Sequence, residues 1–229
     1  MNEQPTEKKA VVLLSGGMDS ATCLAVAAKE CLAVHTLAVD YGQRHQLEIQ
    51  MAARQARFFG AREHQVVRLD MRHIGRSALT ADLAVPKDEV PEGIPPTYVP
   101  ARNAILLSLG LAWAEVLDAR QLFIGVNQVD YSGYPDCRGE FIEAFERMAN
   151  LATRMGTEGR PVRVRAPLQK LDKAGIVQLG TELGVDFTLT HTCYDPDARG
   201  VACGRCPACL LRLRGFEQAG MTDPIEYQE

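Results

Sequence analysis

Four cysteines crowd a short stretch near the C-terminus: Cys193, Cys203, Cys206 and Cys209, spaced C-x9-C-x2-C-x2-C. Thiolates this close suit tetrahedral Zn2+, which takes four ligands in a closed structural site. Iron–sulfur ligation uses similar C-x2-C-x2-C spacing and is the rival reading. Clustered cysteines in a chain expected to be cytoplasmic point to metal or redox chemistry before disulfides. Cys23 and Cys31 sit among alanines and leucines and read as inert buried thiols.

A second constellation lies at the other end. Val11-Val12-Leu13-Leu14 runs into Ser15-Gly16-Gly17-Met18-Asp19-Ser20 and then into small helix formers from Ala21 to Ala28. Strand, tight turn and helix N-terminus together place unpaired N–H groups and the positive end of a helix dipole where phosphate binds. The Gly-Lys-Ser/Thr ending of a Walker loop is missing. Gly16 and Gly17 let the backbone approach phosphate oxygens without a Cβ in the way. Ser15 and Ser20 offer hydroxyl donors. Asp19 fits either a Mg2+ partner or the N-cap of the helix.

The third cluster is Asp130–Cys137. Tyr131 and Tyr134 can stack on a planar heterocycle, while Asp130 and Asp136 can accept from ring N–H and amino groups, with Ser132 between them. A polar surface turn is the alternative, since Ser-Gly-Tyr-Pro is good turn chemistry. Cys137 has no adjacent base and reads as packing. Arg102 opens a helix, where a cation opposes the dipole, and binding phosphate or carboxylate would explain it. Asp19, Ser20 and Arg102 are the candidate catalytic residues. His45, His73 and His191 lack metal-ligand spacing and read as ordinary histidines.

These residues need a scaffold. Strands are expected at Ala10–Leu14, Val34–Val39, Gln65–Leu69, Leu122–Val126 and Val162–Arg165. Helices are expected at Ser20–Glu30, Gln46–Phe59, Asn103–Asp118, Gly139–Leu151 and Lys173–Leu183, with a further helical stretch after Cys209. The alternation predicts an α/β fold with a parallel sheet covered on both faces. Ligands gather at the C-terminal strand ends of such sheets, where the strand order reverses. There the first, second and fourth strands end in Ser15–Ser20, Asp40–His45 and Asn127–Cys137. Residues 82–100, with five prolines, read as a long functional loop.

Composition narrows the class. The chain has 229 residues, 46% of them hydrophobic, and a net charge of −4. No stable nucleic-acid partner is expected without a basic excess. The leader is polar and no apolar stretch approaches the length of a membrane span, so neither secretion nor membrane insertion is expected. The expected division is an α/β nucleotide-binding domain over 1–185 and a four-cysteine segment over 186–229.

The phosphate loop resembles the SGGxDS loop of the ATP pyrophosphatase family, whose members cleave ATP between the α and β phosphates. Four more motifs, DYGQRH (40–45), YVPARN (98–103), GVNQVDYSGYPDCR (125–138) and CYDPDARGVACGRCPACLLR (193–212), extend the likeness. Over nearly its whole length the chain resembles the 7-cyano-7-deazaguanine synthase family. That resemblance implies a doubly wound, Rossmann-like sheet and a homodimer. It implies ATP contacts along Leu14, Ser15, Gly16, Gly17, Met18, Asp19, Ser20, Ala21, Thr22, Cys23 and Leu24, and zinc on the four cysteines. It further implies an ATP-dependent conversion of 7-carboxy-7-deazaguanine and ammonia into the nitrile, through an acyl adenylate and an amide. The resemblance also implies a phosphate contact at Lys173, although Asp172 precedes it where relatives often carry serine, and His191-Thr192 stand before Cys193 where a serine usually sits next to the cysteine. A tRNA thiolase would need a basic RNA face, a glutamine-fed synthetase would need a glutaminase domain, and a zinc scaffold would release no pyrophosphate.

Overall fold

The valine-rich run near the start of the chain forms the middle strand of a parallel sheet. The computed structural model describes residues 8–31, 33–74, 77–91, 93–128 and 133–229. Strands β1 (Lys9–Leu13), β2 (Ala33–Asp40), β3 (Glu63–Arg68), β4 (Gln121–Phe123) and β5 (Arg163–Arg165) pair in the order β3-β2-β1-β4-β5. Every pairing is parallel. Between them run helices α1 (Met18–Glu30), α2 (Leu47–Phe58), α3 (Arg102–Leu117) and α4 (Gly139–Ala152), followed by the one-turn α5 (Arg154–Thr157). After β5 come α6 (Lys173–Glu182) and α7 (Pro207–Gln218).

Alternation along β1 divides the core. Ala10, Val12 and Leu14 join Phe123 and residues of α1, α2, α6 and α7 in one apolar cluster. Val11 and Leu13 face the opposite cluster, built with α3 and α4. Successive side chains of a strand point to opposite faces. A strand buried on both faces reads as one continuous apolar run, which is why Val11–Leu14 shows no alternation in sequence. The chain travels outward to β2 and β3, then returns to β4 on the other side of β1. The crevice beyond the β1 and β4 ends is thus the switch point of the sheet.

Most expected elements lie within two residues of the observed ones. β4 is the exception, ending at Phe123 rather than Val126. Ile124 and Val126 are buried by packing instead of strand pairing. The backbone there rides against α1: a Cβ on Gly125 would sit 3.1 Å from the Asp19 carbonyl. The short α5, capped by Thr153, and the 3-10 turns at Pro135–Cys137 and Phe187–Leu189 carry no periodicity long enough to read in sequence.

The cysteine-bearing segment shares the core of the sheet. Phe216 of α7 meets Phe187 edge-on with ring centroids 5.2 Å apart, and both belong to the α1 cluster. Arg212, only 1% exposed, pairs with Asp223 through Nε–Oδ2 at 2.8 Å and Nη2–Oδ1 at 2.9 Å. It also donates to Thr190 Oγ1 at 2.6 Å. Tyr227 donates its hydroxyl to the same carboxylate at 2.6 Å. Breaking such a pair from one side strands a buried charge. Asp223→Ala is therefore expected to cost about 3–5 kcal/mol of stability, measured by urea unfolding at neutral pH. A loss near that of an exposed pair would show that water reaches Arg212.

Candidate active site

The loop after β1 is fixed before any ligand arrives. Gly16 has φ +89°, a left-handed conformation that favours glycine, and a Cβ there would overlap the Glu48 carbonyl on α2. Its own carbonyl accepts from His191 N–H at 2.9 Å and Gln55 Nε2 at 2.8 Å. Ser15 and Ser20 brace the turn: Ser15 N–H and Oγ both bond Ser20 Oγ, at 3.2 and 3.1 Å, and Ser20 Oγ donates to the Gly17 carbonyl at 3.0 Å. Gly17 is the N-cap of α1 and no side chain caps it, leaving first-turn N–H groups facing the crevice.

Of the stretch named from sequence, Leu14, Ser15, Gly17, Met18, Asp19 and Ser20 line the cavity. Gly16 lies behind it as the anchor just described. Ala21, Thr22, Cys23 and Leu24 are 0% exposed. The helix turns them into the core, Thr22 Oγ1 donates to the Met18 carbonyl, and burial raises the Cys23 thiol pKa.

Asp19 is no N-cap. It is the second residue of α1, and its Oδ2 accepts from Lys173 Nζ at 2.7 Å and Asn127 Nδ2 at 3.2 Å. Lys173 begins α6, where a cation opposes the dipole. Its ion pair across the cavity accounts for that placement. Asp172 caps the same helix by accepting from Gly175 N–H at 2.8 Å. The departure from serine at 172 thus preserves the N-cap, a role that either residue fills.

Arg102 reaches the same cavity from α3. Ala101 before it adopts a left-handed backbone at φ 53°. Arg102 Nη1 donates to the Tyr41 hydroxyl at 3.3 Å, with its guanidinium carbon 5.6 Å from the ring centroid. Tyr41 comes from the DYGQRH segment. Glu48, the second residue of α2, also faces the cavity, and burial pushes its carboxyl up to about 7 despite the opposing Arg102 charge. Burial, aided by His45 and Arg212, pushes the His191 imidazole down to about 4.

The opposite wall is built by Tyr134, Thr97 and Cys137. Tyr134 OH lies 3.3 Å from Thr97 Oγ1, and Tyr98 packs on Tyr134 at a ring separation of 5.8 Å. Asp136 does not line the cavity. Its carboxylate accepts from the Asn103 N–H at 2.8 Å, holding the first turn of α3, while Asn103 Nδ2 donates to the Cys137 sulfur at 3.1 Å. Asp130, Tyr131 and Ser132 lie outside the described residues. The long loop contributes Val90, Pro91, Gly93, Pro95 and Thr97 to the cavity wall.

All four C-terminal cysteines are buried, and their sulfurs lie within 4.8 Å of one another. Cys193 Sγ accepts from the N–H groups of Cys203 at 3.2 Å and Asp195 at 3.3 Å. Cys203 Sγ accepts from Cys206 N–H at 3.3 Å and Arg205 N–H at 3.4 Å. Donors aimed at sulfur favour thiolate over thiol. Four buried sulfurs this close fit a closed metal site such as that of zinc.

Comparison with known proteins follows this geometry. The model of the family described as queuosine biosynthesis protein QueC matches residues 9–220. The chain belongs to the QueC family. A relative from Thiobacillus denitrificans is 62% identical over 219 residues, covering 95% of this chain and 97% of its own. One from Pseudomonas savastanoi pv. phaseolicola is 60% identical over 223 residues, 97% of each chain. A third, from a Geobacter strain, is 57% identical over 97% of this chain and 99% of its own. Each is named 7-cyano-7-deazaguanine synthase. No helix among the described residues is long and apolar enough to cross a membrane.

Around the candidate site residues, this QueC cavity is also lined by Tyr41, Glu48, Lys173, His191 and Thr192, while the buried Asn127 supports it through Asp19. Tyr41 and Asn127 fall in polar strand-end clusters, a signal visible in sequence. Lys173 follows a helix cap and carries no such local signal; only the family resemblance points to it, as a phosphate contact. Lys173→Ala and Asp19→Ala are each expected to lower turnover by about 10²–10³-fold, the scale of removing one charge-stabilising group. Pyrophosphate release at matched melting temperature measures it. Wild-type rates in both variants would mean that the pair only braces α1 against α6.

Proposed function

We propose that this protein is an ATP-dependent carbon–nitrogen ligase that converts 7-carboxy-7-deazaguanine and ammonia into 7-cyano-7-deazaguanine. The observation that carries this reading is identity of 57–62% over nearly the full length to enzymes of that name. The cavity supports it, because its chemistry suits every component.

A heteroaryl carboxylate is a poor electrophile, so it first attacks the α-phosphorus of ATP. The acyl adenylate forms and pyrophosphate leaves into the turn at Ser15–Ser20. First-turn N–H groups of α1 and Lys173 stabilise the charge that develops there. Arg102, always protonated, orients the carboxylate. Ammonia displaces AMP to give the amide. The amide oxygen then attacks a second ATP, and its departure as AMP leaves the nitrile. Tyr134 offers an aromatic face to the planar base, and Asp130, Tyr131 and Ser132 are assigned to its recognition on their residue types alone. Asp136 acts at one remove, by holding the helix that carries Arg102.

Magnesium arrives with the nucleotide. Asp19 Oδ1 is buried without a hydrogen-bond partner, which suits an ion held mainly by phosphates and reached by one carboxylate. Zinc belongs to the four cysteines, one ion per chain, and supplies a structural cross-link. A homodimer acting in the cytoplasm completes the reading.

Mass spectrometry of the product tests it. The carboxy-deazaguanine with ATP and ammonium is expected to yield the nitrile, with glutamine no better than ammonium as donor. A plain aromatic acid is expected to fail by several kcal/mol of discrimination, because the site's polar groups would be left unpaired. Equal use of both acids would contradict recognition of the base. Glutamine outperforming ammonium would mean a glutaminase partner.

A further inference from the structure

The reaction proposed above releases protons at nitrogen in both of its halves, and this inference rests on that reading. Ammonium must lose a proton before its nitrogen carries a lone pair. When the C–N bond forms, a second proton leaves as AMP departs with the C–O electron pair. In the dehydrating half the amide nitrogen gives up both remaining hydrogens. The first leaves once the amide oxygen is bonded to phosphorus. The second leaves as AMP takes the C–O electrons and the N–H electrons become the last C–N π bond. A positioned acceptor for such transfers is worth about 10²–10⁴-fold in rate.

Among the described residues, few groups at the cavity can accept a proton. Asp19 is engaged through Oδ2 by Lys173 and Asn127, and its buried Oδ1 is the oxygen left for magnesium in the reading above. His45 spends Nε2 on the Cys193 carbonyl at 2.9 Å, and its Nδ1 is buried. His191 Nε2 is likewise sealed. Tyr41 is held protonated by burial and receives the Arg102 donor on its oxygen.

Glu48 differs from all of these. Its carboxylate faces the cavity and makes no hydrogen bond or ion pair among the described residues. Its backbone is locked, because its carbonyl packs against Gly16 of the phosphate loop. Arg102 from α3 and Tyr41 from the end of β2 face it, with the Asp19–Lys173 pair and the two histidines on the remaining walls. Arg102 keeps the carboxylate available as a base, while burial holds its proton affinity in the neutral range.

We propose that Glu48 is a catalytic residue of this reaction, the base that takes protons from the nitrogen in both the amide-forming and the nitrile-forming steps.

Glu48→Gln tests the assignment without removing bulk. Acid-dependent exchange of labelled pyrophosphate into ATP reads adenylation alone and is expected to stay within about threefold of wild type, since no nitrogen is involved. Amide and nitrile formation are expected to fall by about 10²–10⁴-fold. At fixed total ammonium the wild-type rate is expected to rise with pH and level off above about 7. The Gln variant is expected to climb in proportion to free ammonia across the same range, and Glu48→Asp to recover the plateau. Exchange lost together with nitrile formation would make Glu48 a positioning residue and overturn the proposal, as would an unchanged pH profile. Failure of the unmodified enzyme to exchange at all would instead overturn the reading of function, and this inference with it.

Discussion

The Gly16 carbonyl is the point from which the candidate active site is hung. It takes one hydrogen bond from α2, through Gln55, and one from the segment leading to the cysteines, through His191. Gln55 also donates to the Leu189 carbonyl at 2.8 Å, so the three pieces of chain are tied at one place. The left-handed backbone of Gly16 and its closeness to Glu48 leave no room for a side chain there. A phosphate site made from backbone N–H groups works only if the backbone is already in place, because ordering it on binding would cost conformational entropy.

This explains why a cluster of cysteines belongs to a nucleotide-binding protein. Cys193 follows His191 by two residues, and Pro207, Ala208 and Leu211 of the cysteine segment line the same cavity. The Arg212–Asp223 pair holds that segment from beneath, with Tyr227 on the carboxylate. Fixing four sulfurs at the C-terminal end therefore fixes a wall of the site and one of the two donors to Gly16. The sheet contributes the rest by placing the end of β1 beside the end of β4, where Gly125 lies against the first turn of α1.

Much of this was legible in residue order. The β1 run, the glycine turn and the cysteine spacing are local patterns, and local patterns survive folding. The parallel sheet followed from strand and helix alternation. What escaped were pairings across the chain. Asp19 read as a possible cap because Asp is a good cap, yet its partner is Lys173, 154 positions away. Asp136 read as a substrate group because it sits in a polar loop, yet its carboxylate is spent on the Asn103 N–H. Ala21, Thr22, Cys23 and Leu24, which the family resemblance adds to the loop, turn into the core because a helix rotates successive residues away from any one face. His191 looked ordinary because its role lies in its backbone N–H, which no side-chain pattern advertises.

The claim that unites these observations is that the Ser15–Ser20 turn holds pyrophosphate while the substrate carboxylate attacks the α-phosphorus. Substrate labelled with ¹⁸O in both carboxylate oxygens tests it directly. Complete turnover is expected to deliver each label into the phosphoryl group of an AMP, one at the amide step and one at the nitrile step. Label in orthophosphate, with ADP as the nucleotide product, would place the attack on the terminal phosphate and contradict the account.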